Sequence, residues 1–239
     1  MSNIPQHISK QFDNELEEVR SSVLNMGGLV EQQLQKALHA LTESDVSLAE
    51  TVMENEVRVN SFEVSIDEEC TTILARRQPA AGDLRLITAV IKTITDLERV
   101  GDEAQKIAKM AIELSDKSPP TRSYYAGISA MGTLVQTMFH DSLDAFARID
   151  SQGALITAGK EPESDEHYSA VLRYLITYMM EDPRSISSVI DTIWVARSLE
   201  RIGDHARNIC EYVIYFVEGK DVRHISIEQM EEKVKGSSG

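Results

Sequence analysis

The chain has 239 residues, of which 42% are hydrophobic and only 5% aromatic, and it carries a formal net charge of −15 at pH 7. That apolar fraction supports a real core, and the scarcity of aromatic rings fits helical bundles better than sandwiches or barrels. The acidic balance would repel a phosphate backbone, which argues against nucleic acid as a partner and for cations and basic surfaces.

From the N-terminus, "MSNIPQHISKQF" lacks the apolar stretch of a signal peptide. About residues 7–42 form the first predicted helix, with Phe12, Leu16, Val19, Val23, Met26, Val30, Leu34, Ala37, Leu38 and Leu41 recurring at three- and four-residue steps. Within it, "MGGLV" at 26–30 reads as a small-residue helix contact. A second helix covers about 45–77. After Pro79 and Gly82 a third is opened by Leu84, Ile87, Ile91 and Ile94 and runs to about Leu114. Past "SDKSPPTR" the scheme repeats: a helix from Tyr124 to Ile149, a second ending in "VLRYLITYMMED", and a third from about Arg184 to Val217. Runs such as "YVIYFV" fall far short of a membrane span. Cys70 and Cys210 sit in apolar helical patterns, which predicts buried free thiols and a reducing compartment.

At an offset of 102, Leu84, Ile87 and Ile91 meet Ile186, Val189 and Ile193. At 105, "ALHAL" meets "SLDAF" and Asp45 meets Asp150. The expected fold is therefore all-α, with two tandem three-helix bundles related by internal pseudo-symmetry: residues 1–117, residues 118–225, and a flexible C-terminal tail over 226–239.

The sharpest repeated element is "TDLERVGDEAQKIA" against "RSLERIGDHARNIC", which places Glu98 with Asp102 and Glu200 with Asp204 at i and i+4. With Leu84 at zero on a helical wheel, Glu98 falls near roughly 320° and Asp102 near 0°, so both carboxylates continue the apolar stripe. Downstream, Leu97, Ala104, Ile107 and Ala111 start a second stripe on another face, as Leu199, Ala206, Ile209 and Val213 do in the second copy. Ionised carboxylates on a packing face need a compensating charge. A hard cation bridging adjacent turns would supply it, and Gly101 and Gly203 would let another helix approach. The plainer alternative is a solvated face or a salt bridge to a nearby Arg such as Arg99; duplication of the motif weighs against it. There is no Gly-rich phosphate loop, no zinc-type Cys or His spacing and no Glu-x-x-His of the ferritin-like kind. His140, His167, His205 and His224 are scattered.

Together, "HISKQFDNELEEVR", "MGGLVEQQL", "SIDEEC", "ARRQPAAGDLRLI", "DLERVGDEAQKIA", "TYMMEDPRSI", "ARSLERIGDHARNIC" and "DVRH" resemble the PhoU family of bacterial phosphate-uptake regulators, over nearly the whole chain to about 225. The resemblance implies a pair of three-helix bundles, a homodimer in the cytoplasm, and acidic motifs that hold metal ions in some members; for this chain the candidates are divalent or trivalent ions: iron, Mn, Mg or Zn. It also implies a second motif per repeat on the second helix, here Glu56 with Asn60 and Glu161 with Asp165. Asn60 departs from the usual acid, and Pro162 falls inside the second pair. The function implied is negative regulation of the phosphate regulon. The protein would act as a non-enzymatic adaptor between the ATPase subunit of a high-affinity phosphate ABC transporter and a PhoR-type sensor histidine kinase, held peripherally at the inner membrane by protein partners. The alternative from another class is a carboxylate-bridged metalloenzyme doing hydrolytic or redox work. By carboxylate count, the C-terminal site should fill with metal before the N-terminal one.

Overall fold

The computed structural model describes residues 10–115 and 122–235. The expected boundary between the repeats, at 117/118, lies outside the described residues. Among the described residues there is no strand: the elements are α1 (Lys10–Glu43), α2 (Val46–Arg77), α3 (Ala81–Ser115), α4 (Arg122–Arg148), α5 (Ser151–Ala158), α6 (Glu161–Glu181), a 3-10 turn at Pro183–Ser185, α7 (Ile186–Glu218) and α8 (Ile227–Lys235). Helices α1 to α3 pack as one bundle, α4 to α7 as a second, and α3 against α7 and α1 against α4 join the two.

Every apolar position of the α1 stripe, from Phe12 to Leu41, is buried. Burying a side chain of Leu or Phe size stabilises by roughly 1.5–3 kcal/mol relative to exposure, so these stripes carry most of the bundle's stability. Both copies turn the first corner in the same way. Ser44 and Ile149 each take φ +57°, and the next residue caps the following helix: Asp45 accepts from the Leu48 amide at 2.9 Å, Asp150 from the Gln152 and Gly153 amides at 3.0 Å.

The seams between the bundles show a pseudo-two-fold relation. A Cβ on Gly27 would meet Leu143 Cδ2 at 2.7 Å, and one on Gly132 would meet Leu38 Cδ1 at 3.1 Å. At the 105-residue offset these are the same contact with its partners exchanged, which is the signature of an isologous interface. The small-residue contact read at "MGGLV" is this seam.

Three features differ from the sequence reading. The single second helix of the first repeat is split in the second repeat into α5 and α6. Gly159 caps α5, and Pro162, which lacks an N–H and has a fixed φ, sits in the first turn of α6. Leu84 and Ile186, taken as core positions, are exposed in the first turns of α3 and α7, and the buried face begins at Leu86, Ile87 and Val189. The expected flexible tail over 226–239 is, over Ile227–Lys235, a helix packed on α5. Ser226 and Gln229 form a reciprocal capping box: the Gln229 amide donates to Ser226 Oγ at 3.3 Å, and the Ser226 amide donates to Gln229 Oε1 at 3.1 Å. Met230 and Val234, four residues apart, are fully buried. The S-x-x-Q signal was legible in the sequence.

Candidate functional site

In the N-terminal bundle, α2 and α3 present carboxylates to each other. Glu56 is 6% exposed, and neither of its oxygens has a hydrogen-bond partner. Its Oε2 lies 3.4 Å from where a Gly101 Cβ would sit, so the glycine of the repeated motif leaves the space this carboxylate enters. Burial, and then the charges of Asp102 and Glu98, push the Glu56 carboxyl up to about 7. Glu98 is also raised, by burial and then by Asp102. Arg99 reaches them only loosely, at 3.5 Å from Glu98 Oε2 and 3.7 Å from Asp102 Oδ2, so the salt-bridge alternative is present but weak.

Asn60 is exposed and does not join this group. Glu63 takes part instead: burial raises its carboxyl, the Arg99 charge opposes that shift, and the charges of Asp67 and Asp102 add to it. The reason is angular. Residue 63 lies about 20° from residue 56 on the α2 wheel, whereas residue 60 lies about 40° to the other side. The seven-residue step shared with Val52, Val59 and Ile66 was the signal that could have found it.

In the C-terminal bundle, Glu161, Asp165, Glu200 and Asp204 come within one another's electrostatic reach. Burial, then Glu161 and Asp165, raise Asp204; burial, then Asp204, raise Glu200. Here, however, arginines intervene. Arg207 donates to Glu161 at 2.7 Å and to Glu211 at 3.2 Å, and Arg197 donates to Glu200 Oε1 at 2.6 Å, leaving Glu200 Oε2 buried without a partner. At the 102-residue offset the first repeat has Gln105 and Thr95 in those places. The extra carboxylate that favoured the C-terminal site is thus offset by two guanidinium groups.

Between the bundles, α3 and α7 share a second polar layer. His205 Nδ1 lies 2.6 Å from Asp96 Oδ1, to which Asn208 Nδ2 also donates at 3.0 Å. Glu103, 2% exposed, accepts from Ser198 Oγ at 2.8 Å, Arg201 at 2.9 Å and Lys106 at 3.0 Å. Shifted by 102, the pair Asp96 and His205 becomes Ser198 and Glu103, so this seam obeys the same pseudo-two-fold.

Among the described residues no three carboxylate, imidazole or thiol groups stand close enough together to hold one ion as placed. The donor chemistry nevertheless fits a hard cation: the groups are all oxygen, Glu56 is orphaned in the Gly101 cradle, and no ordinary counter-charge reaches it.

The PhoU domain model matches twice, over residues 23–111 and 128–213. The chain is 52% identical over 237 residues to the phosphate-specific transport system accessory protein PhoU homolog of Pseudomonas aeruginosa, covering 99% of this chain and 98% of that protein. It is 44% identical over 235 residues to the phosphate-specific transport system accessory protein PhoU of Escherichia coli K12, covering 98% and 96%. The crystal structure of PhoU from Pseudomonas aeruginosa superposes with a TM-score of 0.85 at 53% identity, over 87% of this chain and all of that one. That of the phosphate transport system regulatory protein PhoU from Streptococcus pneumoniae gives 0.81 at 32% identity, over 88% and 99%.

Proposed function

The chain belongs to the PhoU family, and from that premise we propose that it regulates phosphate uptake as an adaptor, linking the ATPase subunit of a phosphate ABC transporter to a PhoR-type sensor histidine kinase. In this role it keeps the phosphate regulon off when phosphate is plentiful. The observation that carries the reading is 44% and 52% identity, over nearly the full length, to accessory proteins of phosphate-specific transport systems. This is a family of accessory and regulatory proteins, not of enzymes.

An adaptor works through surfaces, and α7 offers one: Ile186, Ile190 and Trp194 follow one another at four-residue steps, and Trp194 is 60% exposed. In this reading the protein is a cytoplasmic homodimer. Its carboxylate groups Glu56, Glu98 and Asp102, and Glu161, Asp165, Glu200 and Asp204, hold cations such as Mg²⁺, Mn²⁺, iron or Zn²⁺. A bound cation would neutralise the facing carboxylates and tie the second helix of a bundle to the third.

Deleting the gene is expected to make phosphate-regulon transcription constitutive under high phosphate, and the wild-type chain expressed in trans is expected to restore repression. A deletion strain that still represses normally would contradict the reading.

No helix among the described residues is long and apolar enough to cross a membrane. We place the protein at the inner membrane through its partners. In flotation assays it is expected to rise with vesicles carrying transporter or kinase and to stay behind with pure anionic liposomes; flotation on the bare lipid would refute partner-mediated attachment.

A further inference from the structure

We propose that the tighter cation site of this chain lies in the N-terminal bundle and is completed by the side-chain amide oxygen of Gln33 on α1, whereas in the C-terminal bundle Arg207 already supplies positive charge and weakens the site. The inference rests on the cation reading above and deepens it: the donors come from three helices rather than two, and the two repeats are not equivalent.

Gln33 is 1% exposed, and neither its amide oxygen nor its amide nitrogen has a hydrogen-bond partner. A fully buried primary amide with all its polar atoms orphaned is rare in native proteins and calls for a partner, which an ion at the cradle would supply. Its Oε1 lies 3.6 Å from the Cβ position of Gly101, the same point that Glu56 Oε2 approaches at 3.4 Å. Two buried oxygens, neither with a hydrogen-bond partner, thus converge on one cradle, and Glu98 and Asp102 on α3 flank it in sequence. Carboxylate and amide oxygens together are the donor set that hard divalent cations take.

The second repeat keeps the carboxylates and the glycine but changes what surrounds them. At the 105-residue offset Gln33 becomes Met138, whose methyl carbon lies 3.9 Å from the Cβ position of Gly203. The nearest group there is Ser164 Oγ, at 3.1 Å. Glu161, which corresponds to Glu56, is held by Arg207 at 2.7 Å. A thioether is a poor ligand for hard cations, and a guanidinium already bonded to the carboxylate opposes a second cation. The C-terminal bundle carries its counter-charge in the chain, whereas the N-terminal bundle leaves it to be supplied.

The test is titration of chelator-stripped protein with Mn²⁺ alone, followed by calorimetry and by the Mn²⁺ EPR signal. Wild type is expected to show one tighter step. Gln33→Met, which copies the second repeat, should weaken that step about tenfold or more. Gln33→Glu, which keeps an oxygen donor, should retain it. Arg207→Gln, which copies Gln105, should leave the first step unchanged and strengthen binding in the C-terminal bundle. In wild type, bound Mn²⁺ should broaden the NMR signal of the Gln33 side-chain amide, a readout that needs no variant to fold. Unchanged Mn²⁺ affinity in Gln33→Met, an unbroadened Gln33 amide, or no gain in Arg207→Gln would overturn the inference while leaving the cation reading standing. A wild-type chain that takes up no Mn²⁺, Fe²⁺ or Zn²⁺ at all would remove both.

Discussion

In chelator, wild-type protein is expected to be less stable near pH 8 than near pH 5.5 by about 2 kcal/mol, and Glu56→Gln to remove most of that difference. The folded state keeps a proton on Glu56 up to about pH 7, whereas the unfolded chain releases it near 4.5. Folding therefore takes up a proton across this window, and stability falls as pH rises through it. Burial acts in the same direction on Glu98, Glu200, Asp204 and Glu211, all of which are raised. The carboxyls held low by arginine, such as Glu15 with Arg77 and Asp221 with Arg223, lose their contribution only at more acid pH and do not offset the trend. At pH 8, Glu56→Gln should melt roughly 4–8 °C above wild type in chelator. Saturating Mn²⁺ should then close the gap by stabilising wild type, by about 2.7 kcal/mol at a hundredfold excess over Kd. Denaturant melts at the two pH values decide it; equal or greater stability of chelated wild type at pH 8 would contradict the expectation.

Glu103→Ala is expected to destabilise the protein by about 2–3 kcal/mol, the cost of stripping a buried carboxylate from charge-assisted partners. Ser198 would lose its acceptor at the α3/α7 seam, while Arg201 and Lys106, about half exposed, can turn to water and so limit the loss. A double-mutant cycle with Ser198→Ala isolates the contact across the seam. Coupling of about 1 kcal/mol or more is expected because the two side chains touch directly. Additive effects would mean that Glu103 acts only within its own bundle. The same cycle between Asp96→Asn and His205→Ala probes the other half of the pseudo-two-fold.

Much of this architecture is local and so was legible in the chain itself. The α1 stripe from Phe12 to Leu41 is buried as its spacing requires, because the 3.6-residue period needs no knowledge of the partner surface. The duplicated Glu98/Asp102 and Glu200/Asp204 motifs, the small-residue contact at Gly27 and the matched pair Asp45 and Asp150 were legible because they are equally local; the capping box at Ser226 is local too, yet the sequence reading gives a flexible tail there. What the chain could not show by itself is which side chains from different helices share one dry space. Glu63 rather than Asn60 faces α3 because the packing angle of α2 favours a seven-residue step. Arg207 silences Glu161 because the break at Gly159 and Pro162 starts α6 where that pair can form. Gln33 reads as one glutamine in a polar run until α1 closes over Gly101 and leaves its amide buried beside the same cradle as Glu56, with neither side chain bonded to a partner. Burial and counter-charge are properties of the assembled surface, and so only the tertiary structure decided which of two nearly identical motifs keeps a buried carboxylate without a partner.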